Sequence, residues 1–231
     1  MVGFTEAKYG CRESGIYCCT LNWSGQNLTI TGGQDGIQVI RGGTAFIEDN
    51  TIENNGRSGI VLAMSSYAHI INNTIQDNPA DGILVADNST ARIGVMSHDD
   101  LNASPNIIQE NAYGVTVVRS SSALIVGNTI SGNTYDGIRI AKVSQADISN
   151  NTINGNGRYG ILVTQNSGVN LGRNTGTTIF DLPNTTTVGN SDKGLSCSIG
   201  GYADGRLGTL NGVGKKNATD FTRDCIDSLI P

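Results

Sequence analysis

The densest group of reactive side chains in the sequence is Met96-Ser97-His98-Asp99-Asp100. A histidine beside two carboxylates can act as a general base, and carboxylates are ligands for hard cations. We therefore take His98, Asp99 and Asp100 as candidate catalytic residues, and Asp99 and Asp100 also as candidate metal ligands. Short loops often carry such residues only because they are solvated, and this second interpretation stays open.

These residues belong to a repeating sequence. A glycine followed by an aliphatic residue recurs with a usual period of about 23 residues, at Gly36, Gly59, Gly82, Gly114, Gly137, Gly160 and Gly194. A second motif, Asn-Thr-Ile, follows the glycine at a constant offset in the ordinary repeats, at Asn50, Asn73, Asn128 and Asn151. Self-similarity at a fixed period is typical of a solenoid.

Each repeat has the pattern of three short strands. Apolar residues alternate with outward residues in the first strand (Ile60, Leu62), a small residue precedes a β-branched one in the second (Ala68, Ile70), and one isoleucine marks the third (Ile75). A single coil cannot bury its apolar face until neighbouring coils stack on it. Asparagine tolerates the left-handed backbone of turns, so rows of asparagines at the turns predict side-chain hydrogen-bond ladders from coil to coil.

The motifs Gly-Ile-x-Val, Ser-x-Ala-x-Ile and Asn-Asn-Thr-Ile-x-x-Asn resemble the parallel β-helix repeats of the pectin-lyase-like superfamily, including NosD-like periplasmic proteins. The resemblance implies an all-β, single-stranded right-handed parallel β-helix of about 7 to 8 coils of ~23 residues. We expect an N-terminal divergent coil or cap at 1–35, the β-helix at 36–201 and a C-terminal capping segment at 202–231. It also implies a secreted protein or one of the cell envelope or periplasm. Lyases, epimerases, glycosidases and noncatalytic surface proteins share this architecture, so it does not define an activity.

Charge and hydropathy exclude two classes of partner. A net charge of -5 leaves no basic stripe for phosphates, so we expect no nucleic-acid binding. The apolar stretch at 59–64 is too short to span a bilayer, so we expect no membrane span. The first residues lack a signal sequence, which means that a signal was removed or that none existed.

Five cysteines lie only in the terminal regions, at Cys11, Cys18, Cys19, Cys197 and Cys225. This placement suits disulfides at the ends of a solenoid. A Cys197–Cys225 pair is one interpretation and buried free thiols are the other; the sequence does not decide the pairing.

Two repeats are longer than the others, the one from Gly82 to Gly114 and the one from Gly160 to Gly194. Their extra residues form loops 95–105 and 173–183, which leave the coil at the same turn. We predict a trough between them, with Leu124, Val126, Asp147, Ser149 and Asn150 on its floor and His98, Asp99, Asp100, Arg173 and Asp181 on its walls. Since loops on rigid scaffolds often bind ligands, we expect Asp147, Ser149, Asn150, Arg173 and Asp181 to bind an extended glycan.

The outward residues of the first strand bear on catalysis, because lyases and epimerases of the superfamily usually keep acidic residues and a basic catalyst there. This row reads Gln38, Val61, Leu84, Thr116, Arg139, Leu162 and Ser196. Only Arg139 is charged and no carboxylate stands beside it in the row, which argues against a calcium-dependent lyase site. The segment 136–142 is faintly similar to the Arg-Ile-Lys element of polygalacturonases, but their paired-aspartate and Gly-His-Gly elements are missing. Arg139 remains a candidate catalytic residue.

Val61, Ala63, Leu84 and Ala86 predict an exposed aliphatic face, covered by a terminal segment or by another copy in a homo-oligomer. We interpret the chain as a noncatalytic or accessory β-helix domain of a secreted or envelope protein, binding a glycan or a surface partner along its side. The alternative is a polysaccharide lyase, epimerase or glycoside hydrolase acting in the trough. No cofactor is evident, and calcium is expected only for an enzyme. A third interpretation is a fragment of a longer β-helix whose active coils lie elsewhere.

Overall fold

The computed structural model describes residues 16–19, 22–97, 100–172 and 178–212, with only the backbone for 16–19 and 22–25. Within these ranges the regular structure consists of 22 strands and no helix. In chain order they are β1 (Ile16–Cys19), β2 (Asn22–Gly25), β3 (Thr29–Ile30), β4 (Ile37–Ile40), β5 (Thr44–Glu48), β6 (Thr51–Glu53), β7 (Ile60–Leu62), β8 (Tyr67–Ile71), β9 (Thr74–Gln76), β10 (Asp81–Val85), β11 (Thr90–Ile93), β12 (Ile107–Gln109), β13 (Tyr113–Val118), β14 (Ser122–Val126), β15 (Thr129–Ser131), β16 (Ile138–Ala141), β17 (Gln145–Ser149), β18 (Thr152–Asn154), β19 (Ile161–Thr164), β20 (Gly168–Leu171), β21 (Leu195–Ser198) and β22 (Tyr202–Gly205).

The strands form three parallel sheets that run the length of the molecule. Sheet A has the order β1-β4-β7-β10-β13-β16-β19-β21, and sheet B has the order β2-β5-β8-β11-β14-β17-β20-β22. Sheet C contains β3, β6, β9, β12, β15 and β18. Each coil contributes successive strands to the sheets, so the chain winds as a right-handed parallel β-helix. The predicted fold class is confirmed.

The register places equivalent residues of the repeat on top of one another. In sheet A, Ile83 pairs with Ile60 on one side and with Val115 on the other. The second of these pairs spans the first long repeat, so the longer coil keeps the register of the ordinary ones. The inward side chains form one continuous core in which most are fully buried. Full burial of each such aliphatic side chain stabilises the fold by roughly 1.5–3 kcal/mol.

Two asparagine ladders close the turns on either side of sheet C. The side-chain amide of Asn73 donates to Asn106 Oδ1 at 3.0 Å, and Asn106 donates to Asn128 Oδ1 at 2.8 Å. In the second ladder, Asn78 donates to Asn111 Oδ1 at 3.0 Å. These asparagines are buried, and their amides also donate to backbone carbonyl groups, which satisfies polar atoms that would otherwise lie unpaired in the core. The predicted ladders are therefore present.

The glycines that begin sheet A have no room for a side chain. A Cβ atom on Gly59 would lie 2.7 Å from the carbonyl oxygen of Gly82 and 2.7 Å from Ile75 Cγ2. The first atom belongs to the backbone of the next coil, and the second belongs to a core side chain. The Gly-aliphatic motif therefore marks the place where the backbone of one coil approaches the next most closely.

Strand pairing extends past both boundaries expected for the β-helix at 36 and 201. The strands β1 and β2 pair with β4 and β5, and β22 pairs with β20. Cys197 is disulfide-bonded, so the free-thiol interpretation does not hold for this residue. The side chains of Cys11, Cys18, Cys19 and Cys225 lie outside the described residues, as does most of the segment predicted to cap the C-terminus.

The aliphatic face predicted on sheet A is largely closed within the chain itself. Val61 is 7% exposed, Ala63 is 9% exposed and Ala86 is fully buried; of the four, Leu84 alone is partly exposed. Ala86 packs with Val118 and Ala141 of the following coils, because small side chains stack closely at the strand spacing. Three of the four residues expected in this face are thus covered within the chain. Among the described residues there is no helix that could span a membrane.

Candidate functional site

The two long loops converge on the outer face of sheet B. Val95 and Ala103 from the first loop and Ile179 and Phe180 from the second pack with the outward residues Leu124 and Val126. As a result Leu124 is only 8% exposed and Val126 is fully buried. Both residues were expected on an open floor, and this is corrected: apolar residues of the loops cover them because burial removes their side chains from water.

The first loop is closed by one of the predicted site residues. Asp100 Oδ2 accepts hydrogen bonds from the backbone N–H groups of Met96 and Ser97, at 2.7 and 2.8 Å. Arg92 on β11 donates to the Met96 carbonyl oxygen at 2.8 Å. Asp100 therefore shapes the loop. His98 and Asp99 lie outside the described residues, so the structure does not show whether they join Asp100 in a catalytic or metal site.

The second loop is held in a similar way. The Thr178 hydroxyl donates to Asp181 Oδ2 at 2.7 Å, and the backbone N–H of Asn150 donates to the Leu182 carbonyl oxygen at 2.9 Å. Arg173 lies outside the described residues. The second half of this loop is thus attached next to the end of β17. There Phe180 and Asp181 reach the outer face of sheet B.

An open cleft of about 640 Å³ lies against this second loop. It is lined by Leu124, Asp147, Ile148, Ser149, Asn170, Gly172, Thr178, Phe180, Asp181, Asp204 and Gly205. Three of the five predicted ligand-binding residues, Asp147, Ser149 and Asp181, are among them. Asn150 does not line the cleft, and no described residue of the first loop does. The cleft therefore lies on the C-terminal side of the place where the two loops meet.

The cleft combines hydrogen-bond acceptors with an aromatic ring. Asp147, Asn170 and Asp204 follow one another in register on β17, β20 and β22, and all three are exposed. Asn170 donates to Asp147 Oδ1 at 2.7 Å. The charged residues of the described lining are all aspartates. In the part of the chain that the structure describes, no three or more His, Cys, Asp or Glu side chains are arranged to hold a metal ion.

A second polar region surrounds Arg139 on the outer face of sheet A. The Arg139 guanidinium lies over the Tyr113 ring, 5.4 Å from its centroid, and Tyr113 stacks on Tyr135. Arg139 Nε is buried without a hydrogen-bond partner, and the buried Thr116 hydroxyl lies beside the Asp81 carboxyl group. Burial raises the pKa of Asp81, while the approach of Thr116 and the charge of Arg139 act in the opposite direction. A carboxyl group does therefore stand near Arg139, although none was expected from its row.

Asp81 escaped prediction because the alternation of the strand breaks at the corner. Counting in steps of two from Ile83 places Asp81 inside. In the structure the Cβ position of Gly82 points at the core atom Ile108 Cγ2, 2.8 Å away, so Gly82 and Ile83 both face inward. Asp81 then lies on the outer side with Thr116 and Arg139. The Asp-Gly dipeptides at Asp35, Asp81 and Asp136 are the signal that would have revealed this row.

A third group is aromatic and lies at the other end of sheet B. His69 stacks on Phe46 with 4.6 Å between ring centroids, and its Nε2 forms a 2.7 Å hydrogen bond with the Tyr67 hydroxyl. Burial lowers the pKa of His69, as does the charge of Arg92, and Asp100 partly offsets this. His69 is therefore a partly buried member of a stacked group.

The fold resembles that of carbohydrate-active enzymes. A mutant of the periplasmic alginate epimerase AlgG superposes with a TM-score of 0.54 at 15% identity, covering 84% of this chain and 48% of that structure. The A-module of a mannuronan C-5 epimerase from Azotobacter vinelandii gives 0.48 at 17% identity, over 88% and 55%. A pectate lyase gives 0.45 at 15% identity, over 82% and 57%. The chain thus spans about half the length of these structures, and the likeness to the first of them establishes the fold alone.

Among proteins of curated function, none matches the sequence. The sequence model of the family described as "right handed beta helix region" matches residues 9–102 and 85–198, which together cover most of the chain. The protein therefore belongs to the right-handed β-helix family.

Proposed function

We propose that this protein is a noncatalytic β-helix domain of a secreted or envelope protein, and that it binds a neutral polysaccharide in the cleft beside Phe180. The observation that carries the proposal is the composition of the cleft, where aspartate, asparagine and threonine side chains lie beside one aromatic ring. Sites for uncharged ligands typically combine an apolar surface with a few polar groups that fix orientation.

The chemistry of a sugar chain fits this lining. Sugar hydroxyl groups donate hydrogen bonds, and the carboxylates of Asp147 and Asp204 accept them; such bonds to a charged acceptor are stronger than neutral ones. The partly exposed ring of Phe180 offers an apolar face to the C–H side of a sugar. The Asp147–Asn170–Asp204 row repeats at the strand spacing of about 4.8 Å. A chain lying along the helix axis would therefore meet one polar side chain on each coil.

The charge of the cleft favours a neutral chain over an acidic one. The described lining contains Asp147, Asp181 and Asp204 but neither lysine nor arginine. An anionic polysaccharide would bring like charges together in a concave, partly desolvated site, where repulsion is stronger than in bulk water.

Affinity electrophoresis of the whole chain in gels containing single polysaccharides tests the proposal. The panel holds neutral chains (laminarin, galactomannan, xylan), acidic chains (alginate, polygalacturonate) and cationic chitosan. We expect a neutral chain to retard the protein, and Phe180→Ala to weaken that binding by about tenfold, as loss of an aromatic anchor does. Tyr202→Ala is the matched control, because Tyr202 is an exposed aromatic residue of β22 that does not line the cleft.

Three results would contradict the proposal. Retardation by acidic or cationic chains alone would show that the charge argument is wrong. Equal binding by the Phe180→Ala and Tyr202→Ala variants would place the ligand elsewhere. Formation of an unsaturated or shortened product from any chain of the panel, with or without calcium, would show that the protein is an enzyme.

A further inference from the structure

The second asparagine ladder ends at Asn211 in a different way from its other steps. At each earlier step an asparagine accepts hydrogen bonds from the preceding coil through its side-chain Oδ1. Asn190, for example, accepts from the side-chain amide of Asn156 at 2.8 Å. Asn190 itself donates to the backbone carbonyl oxygen of Asn211, from its backbone N–H at 3.1 Å and from its side-chain amide at 3.0 Å. The ladder therefore uses the main chain of Asn211 and not its side chain.

The Asn211 side chain lies against the backbone of the residue that follows it. Its Oδ1 accepts a hydrogen bond from the Gly212 N–H at 2.9 Å, and among the described residues this is the only acceptor of that N–H group. Asn211 is partly exposed, so water reaches its side chain. Glycine carries no side chain that would shield its nitrogen. A carboxamide and an accessible backbone nitrogen thus meet within one short segment.

The sequence contains three other Asn-Gly pairs, which begin at Asn55, Asn154 and Asn156 and provide an internal comparison. Asn55 and Asn156 are buried members of the ladder. The glycines that follow them, Gly56 and Gly157, donate their N–H groups to backbone carbonyl oxygens of the preceding coil, at 2.6 and 2.8 Å. In these two pairs, neighbouring coils hold both the side chain and the nitrogen that follows it.

Asn154 is partly exposed, but the next coil holds it as well. Its Oδ1 accepts from the backbone N–H of Thr187 at 2.9 Å, and its amide donates to the Thr187 hydroxyl at 3.1 Å. The N–H of Gly155 donates to the Val188 carbonyl oxygen at 3.0 Å. Exposure alone therefore does not distinguish the four pairs, whereas contacts with a neighbouring coil do.

We propose that Asn211 is a site of spontaneous deamidation and that it reacts faster than the three other Asn-Gly pairs of the folded chain. The Gly212 nitrogen gives up its proton to hydroxide and forms a bond to Cγ of Asn211, and the side-chain nitrogen leaves as ammonia. One water molecule then opens the resulting succinimide ring at either of its carbonyl groups. The products are aspartate and isoaspartate, and the net reaction consumes one water and releases one ammonia.

The isoaspartate product alters the contact that ends the ladder. Its main chain runs through the former side chain, so the carbonyl group that accepts from Asn190 becomes a free carboxylate and the path to Gly212 gains one carbon. Gly212 is closely packed, because a Cβ atom on it would overlap the Asp192 carbonyl oxygen. We therefore expect the isoaspartate form to be less stable than the fresh protein. The cleft beside Phe180, which Asn211 does not line, should keep its ligand affinity.

Ageing of the full chain in H₂¹⁸O at mildly alkaline pH tests the site. Each deamidation leaves one ¹⁸O in the new carboxyl group, and mass spectrometry of peptides digested in ordinary water locates this label. We expect Asn211 to convert at least about tenfold faster than the other three asparagines, because these react only after their coils open locally. In guanidinium chloride all four should convert at similar rates, since they share the same Asn-Gly sequence.

Two variants and one separation complete the test. Asn211→Gln should remove the fast reaction, because glutamine would have to form a larger ring, and the matched control Asn154→Gln should leave the rate at Asn211 unchanged. Ion exchange separates the aged molecules by their additional negative charge, and the fraction that contains isoaspartate should have a lower Tm. Conversion of Asn55, Asn154 or Asn156 as fast as that of Asn211 in the folded chain would overturn the proposal. An unlabelled Asn211 under conditions that label the denatured chain would also overturn it.

Discussion

Asn73 and Asn106 are 33 residues apart in sequence, yet the side chain of Asn73 donates a 3.0 Å hydrogen bond to the side chain of Asn106 in the adjacent coil. The bond crosses the first long loop without a break in the ladder. Asn106 continues it to Asn128, and Asn128 continues it to Asn151 at 3.1 Å. The ladder is therefore a property of the coil positions rather than of sequence distance.

Replacing one ladder residue should strongly destabilise the fold. Asn128→Ala removes the acceptor for the backbone and side-chain N–H groups of Asn106, and it removes the amide that donates to the Ile93 carbonyl oxygen. Since each buried polar group left unpaired costs roughly 1–3 kcal/mol, we expect the free energy of unfolding to fall by about 3–5 kcal/mol. Urea denaturation measures the change. The control Asn102→Ala, in an exposed loop position, should change it by less than about 0.5 kcal/mol, and equal effects would contradict the argument.

Two glycines should respond differently to alanine. Gly59→Ala places a methyl group 2.7 Å from the Gly82 carbonyl oxygen, so coils must separate, and we expect a loss of about 3 kcal/mol. Gly132→Ala has space, its nearest neighbour being Glu110 Cγ at 3.8 Å, but its φ of +63° costs about 1–2 kcal/mol. Thermal melts of both variants decide the order. A larger loss at Gly132 would mean that coil spacing is more compliant than the structure shows.

Asp35 should make the protein sensitive to acid. Burial raises its pKa, but hydrogen bonds from Arg57, Ser58 and Gln38 and the charge of Arg57 outweigh this and hold it below 3.8. A carboxyl with a lowered pKa in the folded state stabilises the fold above its unfolded pKa, and this contribution is lost as the pH falls through the folded value. We expect Asp35→Asn to be less stable than the wild type at pH 7, with a smaller decrease in Tm below pH 3.8.

The exposed Asp77 supplies the control for this pH experiment. Asp77→Asn keeps a side chain that tolerates the left-handed backbone at this position, where φ is 54°. Its melting curves should follow those of the wild type from neutral to acidic pH. If Asp35→Asn and the wild type lost the same stability on acidification, the acid sensitivity would reside in other carboxyl groups.

His69 should remain neutral at physiological pH. Burial and the charge of Arg92 lower its pKa below 6.5. The chain has 2 histidines, so NMR titration with His98→Gln assigns the His69 signals. Arg92→Gln should raise the measured pKa, and Asp100→Asn should lower it further, because Asp100 acts in the opposite direction. A midpoint at or above 6.5 in the wild type would contradict the burial of the ring.

The strand register could be predicted because it is geometric. Coils of constant length must bring Ile60 over Ile83, and the same inward residue recurs wherever the pattern does. The place where the two long loops leave the coil was predicted as well, but the way in which they pack on sheet B could not be. Val95 and Ile179 are single apolar residues in irregular segments, without a period that shows where they pack. Their contact with Leu124 is set by tertiary packing. Because the two loops meet there, the cleft lies on their C-terminal side and not between them as expected.

The surroundings of Arg139 could not be predicted because the alternation of inward and outward residues breaks at one position. Strict alternation holds within β10 from Ile83 onward, but the corner before it places both Gly82 and Ile83 inward. Counting with a period of two therefore assigns Asp81 to the wrong side. The burial of the aliphatic face on sheet A could not be predicted for a related reason. The pattern shows which side chains point outward, but it does not show how closely Ala86 and Val118 cover one another.

The unbroken ladder across the long loops has an evolutionary consequence. The asparagine ladder and the strand register continue past each inserted loop. The loops can therefore change length and composition while the stacked coils keep their spacing. Specificity can then change through the projecting segments, which lie beside the strand residues of the cleft, while the stacked coils that stabilise the fold stay unchanged.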